Sequence, residues 1–206
     1  MATFAAMEAR IIAELHRDDV AAVVDDYIND AIAHYQHYRF WFNETSATQN
    51  TANGTATYAW PTDMVELDSM TITANGTITK MEQISPREID EMYFNSTLTG
   101  VPYHFANYKQ QFRLYPTPNA TYVLTQYYLQ NYTALTTGSA SSNVWTTEAE
   151  ELIRTRAKKL LVGQFMPTST DTAGWAQMLD QHEHDVLAGL QRQTWASTAT
   201  GRIRSW

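Results

Sequence analysis

The sequence predicts an α+β protein: a four-helix bundle, a β-rich insertion (hairpin, small sandwich or barrel) between its helices 2 and 3, and an extended C-terminal tail. Three observations predict it. Apolar residues recur at helical spacing near both ends of the 206-residue chain. Between about 45 and 136, charged residues thin out while Thr, Tyr and Asn rise, a composition that favours strands. Two Asn-Gly pairs, Asn53-Gly54 and Asn75-Gly76, fall in that middle stretch, and Asn-Gly is the strongest short hairpin signal.

In the first zone, 1–44, Phe4, Met7, Ile11 and Leu15 share one helical stripe behind a capping Thr3. Asp18 and Asp19 then read as a break and a new cap. A second helix follows, running to about Phe42, with Val20, Val23, Val24, Tyr27, Ile28, Ala31, Ile32 and Tyr35 on its apolar face. The middle zone, 45–136, holds the hairpin around Asn75-Gly76, whose flanks alternate with period 2. Strands are expected at 103–108, 111–115 and 122–130, with Pro116 and Pro118 turning between the last two. Ser85-Pro86 opens a short helix over 86–94, Ser as cap and Pro at the first helical position. A polar linker, 137–144, leads to the second helical zone, 145–198. There Thr147 and Glu150 have the capping-box spacing, Pro167 ends one helix, and another is expected over about 171–197. The tail is 199–206. Each helical zone has two helices and one apolar stripe, so the two zones are expected to pack together.

Net charge is −8, which argues against broad phosphate binding. It is unevenly spread: from Val186 onward the charged side chains are Arg192, Arg202 and Arg204, so the tail end is +3 and the rest −11. A basic tail on an acidic body suits docking. No apolar run approaches the roughly 20 residues that span a bilayer, so no membrane partner is expected. The opening Met1-Ala2-Thr3-Phe4 has neither the basic start nor the apolar stretch of a signal peptide, and there are no cysteines. These features suit a cytoplasmic protein, and the Asn-x-Thr triplets then reflect Thr and Asn richness, not glycosylation.

Little chemistry is encoded locally. The eight glycines are widely scattered, which excludes a P-loop, a dinucleotide fingerprint and a nucleophile elbow. His34 with His37, and His182 with His184 in the run His-Glu-His-Asp, have spacings compatible with metal, but no third ligand is visible. Asp63, Glu66 and Asp68 form an acidic cluster without an identifiable partner acid; solvation of a loop and strand edge accounts for it. The expectation is therefore no catalytic residue, no metal, no cofactor and no enzyme activity. The run Tyr35-Gln36-His37-Tyr38-Arg39-Phe40-Trp41-Phe42 could stack bases or sugars. Its helical phase favours packing instead, with Arg39, Phe40, Trp41 and Phe42 seating the insertion or contacting a neighbouring subunit.

Several segments, in order along the chain, resemble the head-to-tail adaptor (connector, or head completion) proteins of tailed bacteriophages. They include the nine residues from Ile11, the segment Arg39-Phe40-Trp41-Phe42-Asn43-Glu44, the ten residues from Trp60, Leu114-Tyr115-Pro116-Thr117-Pro118, the eight residues from Glu150, and the ending Gly201-Arg202-Ile203-Arg204-Ser205-Trp206. The resemblance implies a virion protein at the head–tail junction, made in the host cytoplasm and assembled as a homo-oligomeric ring of twelve beneath the portal protein. A tail component, nozzle or tail tube, would bind below, and DNA would pass through the lumen without sequence-specific contacts during packaging and ejection. An acidic wall suits passage, since like charge prevents sticking. In the docking tail, Arg202 and Arg204 would pair with acidic groups while Ile203 and Trp206 fill apolar pockets, with Gly201 and Ser205 between. The competing reading is a carbohydrate- or host-receptor-binding module using the aromatic middle zone; an enzyme built on His182 and His184 is the third.

Overall fold

The structure is a computed structural model, and it describes residues 3–95, 98–136, 142–166 and 169–202, with Asn95 and 197–202 as backbone only. In chain order the elements are α1 (Phe4–Leu15), a 3-10 turn (Asp18–Val20), α2 (Val24–Tyr35), β1 (Glu44–Asn50), β2 (Thr57–Ala59), β3 (Met64–Ala74), β4 (Thr77–Lys80), β5 (Glu82–Gln83) and α3 (Pro86–Asn95). They continue with β6 (Thr99–Gly100), β7 (His104–Tyr108), β8 (Gln111–Tyr115), β9 (Thr117–Pro118), β10 (Val123–Gln130), α4 (Val144–Thr147), α5 (Glu150–Phe165) and α6 (Thr170–Arg202).

The chain is thus α+β with six helices and ten strands in three sheets among the described residues. This overturns the expected four-helix bundle with a β-rich insertion and extended tail. The helix expected to run to Phe42 stops at Tyr35 after 12 residues, because the chain turns there and Asn43 fastens the turn. The capping box expected from Thr147 and Glu150 does not form. Asn143 and Thr146 make that box one turn earlier and start the separate α4. The sheets carry much of the core, and the backbone from 199 to Arg202, expected to be extended, continues α6.

Two units are distinguishable, Met1–Asn43 with Tyr132–Trp206, and Glu44–Asn131. In the helical unit, Thr3 caps α1 by accepting a hydrogen bond from the Ala6 N–H at 3.2 Å, and His16 in the left-handed region ends it. Phe4, Met7, Ile11 and Leu15 bury one face of α1 against Val24, Ile28, Ala31 and Tyr35 of α2 and Leu152, Ile153, Ala157 and Leu161 of α5. From α6 only Leu179, Glu183 and Thr194 are buried among its described side chains.

In the β unit one sheet has the order β1-β10-β3-β4, antiparallel throughout, and another the order β2-β8-β7-β5; β6 and β9 make a short third. Asn75 and Gly76 both take positive φ, 52° and 78°, as the tight turn joining β3 to β4 requires. The two large sheets share a core of Met70, Ile72, Phe105, Phe112, Leu114 and Leu124. Ser85 and Glu88 form a reciprocal capping box at the start of α3, which buries Ile89 against Ala106 and Tyr115.

Candidate functional site

Helix α5 alternates buried Thr155 and Ala157 with Arg154, Arg156, Lys158 and Lys159, so its helical phase sends four cations to the flanks of a core helix. Glu14 of α1 takes Arg154 and Lys158, the latter at 2.7 Å. Arg156 and Lys159 reach Glu183 of α6 at 3.0 and 2.9 Å, and Lys159 also pairs with Asp180. The Tyr35 hydroxyl of α2 donates to the same Glu183 carboxylate. Glu183 is only 5% exposed. Burial by itself would raise its pKa, but the bonds from Tyr35, Lys159 and Arg156 outweigh that and hold it below the usual carboxylate range. Burial and the bonded carboxylate push the Tyr35 hydroxyl far up. Burial, then the nearby Arg156, pushes His34 down. The bond to Asp180 leads in raising Lys159.

This network lines a cavity of about 270 Å³ that also touches His34, Tyr38, Gln181 and His184. Both oxygens of Glu183 are engaged by donors. The arrangement fixes which turn of α6 meets α2 and α5.

The residues 36–43 form the turn beyond α2. Asn43, fully buried, accepts from the Phe40 N–H at 2.9 Å and donates to the Tyr38 carbonyl at 2.8 Å. Phe40 and Phe42 stack with ring centres 5.1 Å apart, and both meet Trp145 edge-on. These two are therefore core residues of the helical unit. Trp41 and Arg39 are exposed, and the Trp41 N–H donates to Thr194 of α6 at 3.3 Å. A second cavity of about 440 Å³ opens here, lined by Arg39, Gln191, Thr194 and Trp195, with Trp195 76% exposed. Of the expected docking tail, Gly201 and Arg202 have backbone within α6, while Ile203, Arg204, Ser205 and Trp206 lie outside the described residues.

The other candidates are dispersed. His182 is exposed and bonds Glu151 at 3.0 Å, away from His184 in the cavity. Among the described residues no three ligating side chains could hold a metal ion. Asp63 accepts the Tyr128 hydroxyl at 2.9 Å, while Glu66 and Asp68 lie within β3. In the β unit, Tyr93, Tyr103 and Tyr115 form an edge-to-face group, and Arg113 lies over the Tyr93 ring and pairs with Asp90.

Sequence reasoning missed Glu183 and Asn43. Glu183 had a signal: it lies on the stripe Leu179, Glu183, Val186, Leu190, an acid at apolar spacing. Asn43 had none, since its role depends on a turn that the sequence predicts as helix.

No curated protein matches the chain. Residues 2–204 match a family model described as SU10 adaptor protein.

Proposed function

Because the chain belongs to the SU10 adaptor protein family, a family of structural phage adaptors, we propose that it is a head-to-tail connector that assembles as a twelve-membered ring beneath the portal and receives a tail or nozzle component below. The family match across nearly the whole chain carries this reading. Three features support it. Acid outweighs base overall, which lets DNA pass along a ring wall without adhering. The helical unit carries an exposed Arg39–Trp41–Trp195 surface, the residue types that anchor protein interfaces. In the segment Gly201-Arg202-Ile203-Arg204-Ser205-Trp206 two cations alternate with apolar groups, a pattern suited to docking on the portal.

Deleting 201–206 tests the tail. The truncated chain is expected to keep its circular dichroism and melting temperature and to stop co-sedimenting with portal particles. Retained co-sedimentation at full affinity ends the docking role. Electron microscopy of the full chain mixed with portal tests the ring: stacked rings are expected, and portal particles without an added layer would refute it. The tyrosines of the β unit leave room for a second reading, a carbohydrate- or host-receptor-binding module. Binding on a glycan array together with no ring formation would favour it.

A further inference from the structure

The long sheet of the β unit has two edges, β1 and β4, and they differ from the edges of its companion. The companion sheet ends in β2, three residues, and β5, two residues, short enough to discourage pairing. β1 runs seven residues in unbroken register with β10, and its sequence Glu-Thr-Ser-Ala-Thr-Gln-Asn holds no Pro, Gly, Lys or Arg. Its sequence carries none of the residues that usually blunt an edge apart from one charge, Glu44. At the opposite edge, β4 is exposed along all four residues, and its Ile78 is 71% exposed.

The two edges fit one another. Every neighbouring pair in the order β1-β10-β3-β4 is antiparallel, so β1 and β4 run in opposite directions. Copies related by rotation about a ring axis would therefore bring β4 of one against β1 of the next antiparallel, the pattern already present inside the sheet. The faces can be checked too. Gln49, Leu124, Ile72 and Thr79 lie in one row across the sheet, and Leu124 and Ile72 are buried, so odd-numbered residues of both β1 and β4 lie on the sheet face that carries these core residues. Pairing must keep odd with odd, because a one-residue slip reverses every side chain. Only two registers then seat all of β4 on β1. One of them sets Glu44 opposite Lys80, Thr45 opposite Thr79, Ser46 opposite Ile78 and Ala47 opposite Thr77.

We propose that adjacent copies of this chain join through this strand pair, β4 of one extending the sheet at β1 of the next in the Glu44–Lys80 register. Two such edges per chain, on opposite sides, make a heterologous contact that closes only as a ring. The polar β1 edge keeps the contact weak between isolated chains, so it forms when another component holds copies side by side. The inference rests on the ring reading above.

The chain has no cysteine, so thiols report cleanly. The full chain carrying Ala47→Cys and Thr77→Cys, assembled on portal particles, is to be treated with a short bis-maleimide. A ladder of dimers, trimers and higher multimers is expected, with no ladder from either single variant or from Ala47→Cys with Lys80→Cys at the shorter treatment times. Each single variant should form rings, which establishes that it folds. Rings that yield only monomers overturn the strand pairing and leave the ring reading standing; no rings from the unmodified chain overturn both. As a second measure, Glu44→Lys should weaken assembly about two- to fivefold, and adding Lys80→Glu should restore it, since a cross-strand charge pair has that order of strength. Absence of rescue refutes the register.

Discussion

In the helical unit, Tyr35, Arg156 and Lys159 converge on one buried carboxylate, Glu183. In the β unit the described core is Met70, Ile72, Phe105, Phe112, Leu114 and Leu124, with buried Gln126 and Thr51 but no buried charge. The difference follows from what each unit must align. Two sheets are registered by their backbone ladders, so apolar packing suffices between them. Helix α6 is 33 residues long and, among its described side chains, buries one apolar residue, Leu179. Trp175, Ala176, Val186, Leu187 and Leu190 pack against the core only partly buried, so directional contacts, Glu183 chief among them, help select the turn of α6 that meets its neighbours. The two modes of cohesion make opposite predictions for packing and charge substitutions.

The largest effect should come from the aromatic centre of the helical unit. Trp145 is fully enclosed by Phe40 and Phe42. Trp145→Ala should cost about 3–5 kcal/mol. Amide exchange in α1, α2 and α5 should accelerate while β3 and β10 stay protected. Phe112→Ala should reverse the pattern. Equal loss of protection in both units after either substitution would show that they unfold together.

A smaller loss is expected at the polar contact. Glu183→Gln keeps an acceptor for the Tyr35 hydroxyl but removes the charge facing Arg156 and Lys159. Because both cations are part-exposed, the cost should be about 2 kcal/mol, read as melting of the helical unit. No change would reduce the network to a surface ornament.

Acid should separate the units in the same way. Glu183 sits below its ordinary value near 4.5, so its contribution is complete above that pH and is lost as pH falls through the lowered folded value. His34 sits below its ordinary 6.5, so the unfolded chain takes its proton first. Its contribution is whole above about 6.5 and declines below. Tyr128 in the β unit is pushed up to about 12, by burial first and then Asp63, and stays neutral throughout this range. The depressed carboxylate there, Glu88, is fully exposed at the start of α3, where solvent screens it. Melting followed from pH 8 to 4 should destabilise the helical unit first. His34→Gln should flatten the upper part of the profile and Glu183→Gln the lower part.

Local signals with a short reach were legible in the sequence. Thr3 with the stripe Phe4, Met7, Ile11 and Leu15 defined α1, Asn75-Gly76 defined the β3–β4 turn, and strand β8 appears at 111–115 as expected. Failures arose where a tertiary partner decides. Helical periodicity continues past Tyr35, but Asn43 and Trp145 draw Phe40 and Phe42 into a turn. Thr147 and Glu150 have the spacing of a cap, yet Asn143 accepts from the Trp145 and Thr146 N–H groups and starts α4 one turn earlier, which leaves Thr147 inside that helix. Glu183 was hidden between two histidines whose metal-like spacing drew attention, although its own position on an apolar stripe is the stronger physical signal. The Arg39, Gln191, Thr194 and Trp195 cavity joins residues over 150 positions apart, which no local pattern can announce.

The smallest predicted effect lies in the turn between β7 and β8. The register pairs Tyr108 with Gln111, leaving Lys109 and Gln110 as a two-residue connection. Both adopt positive φ, 49° and 58°, as a tight hairpin demands. Residues with a Cβ reach that region at some cost, and the sequence does not advertise the turn because neither Asn nor Gly occupies it. Replacing the pair by Asn-Gly should stabilise the β unit by about 1 kcal/mol. The gain is offset in part by losing the Lys109 ammonium over the Tyr108 ring, 5.4 Å from its centre. Raised melting of the β unit with unchanged melting of the helical unit is expected. If the substitution is destabilising, the lysine–tyrosine contact outweighs the backbone strain, and Lys109→Ala alone, which loses the contact and relieves no strain, should then cost more than the double replacement.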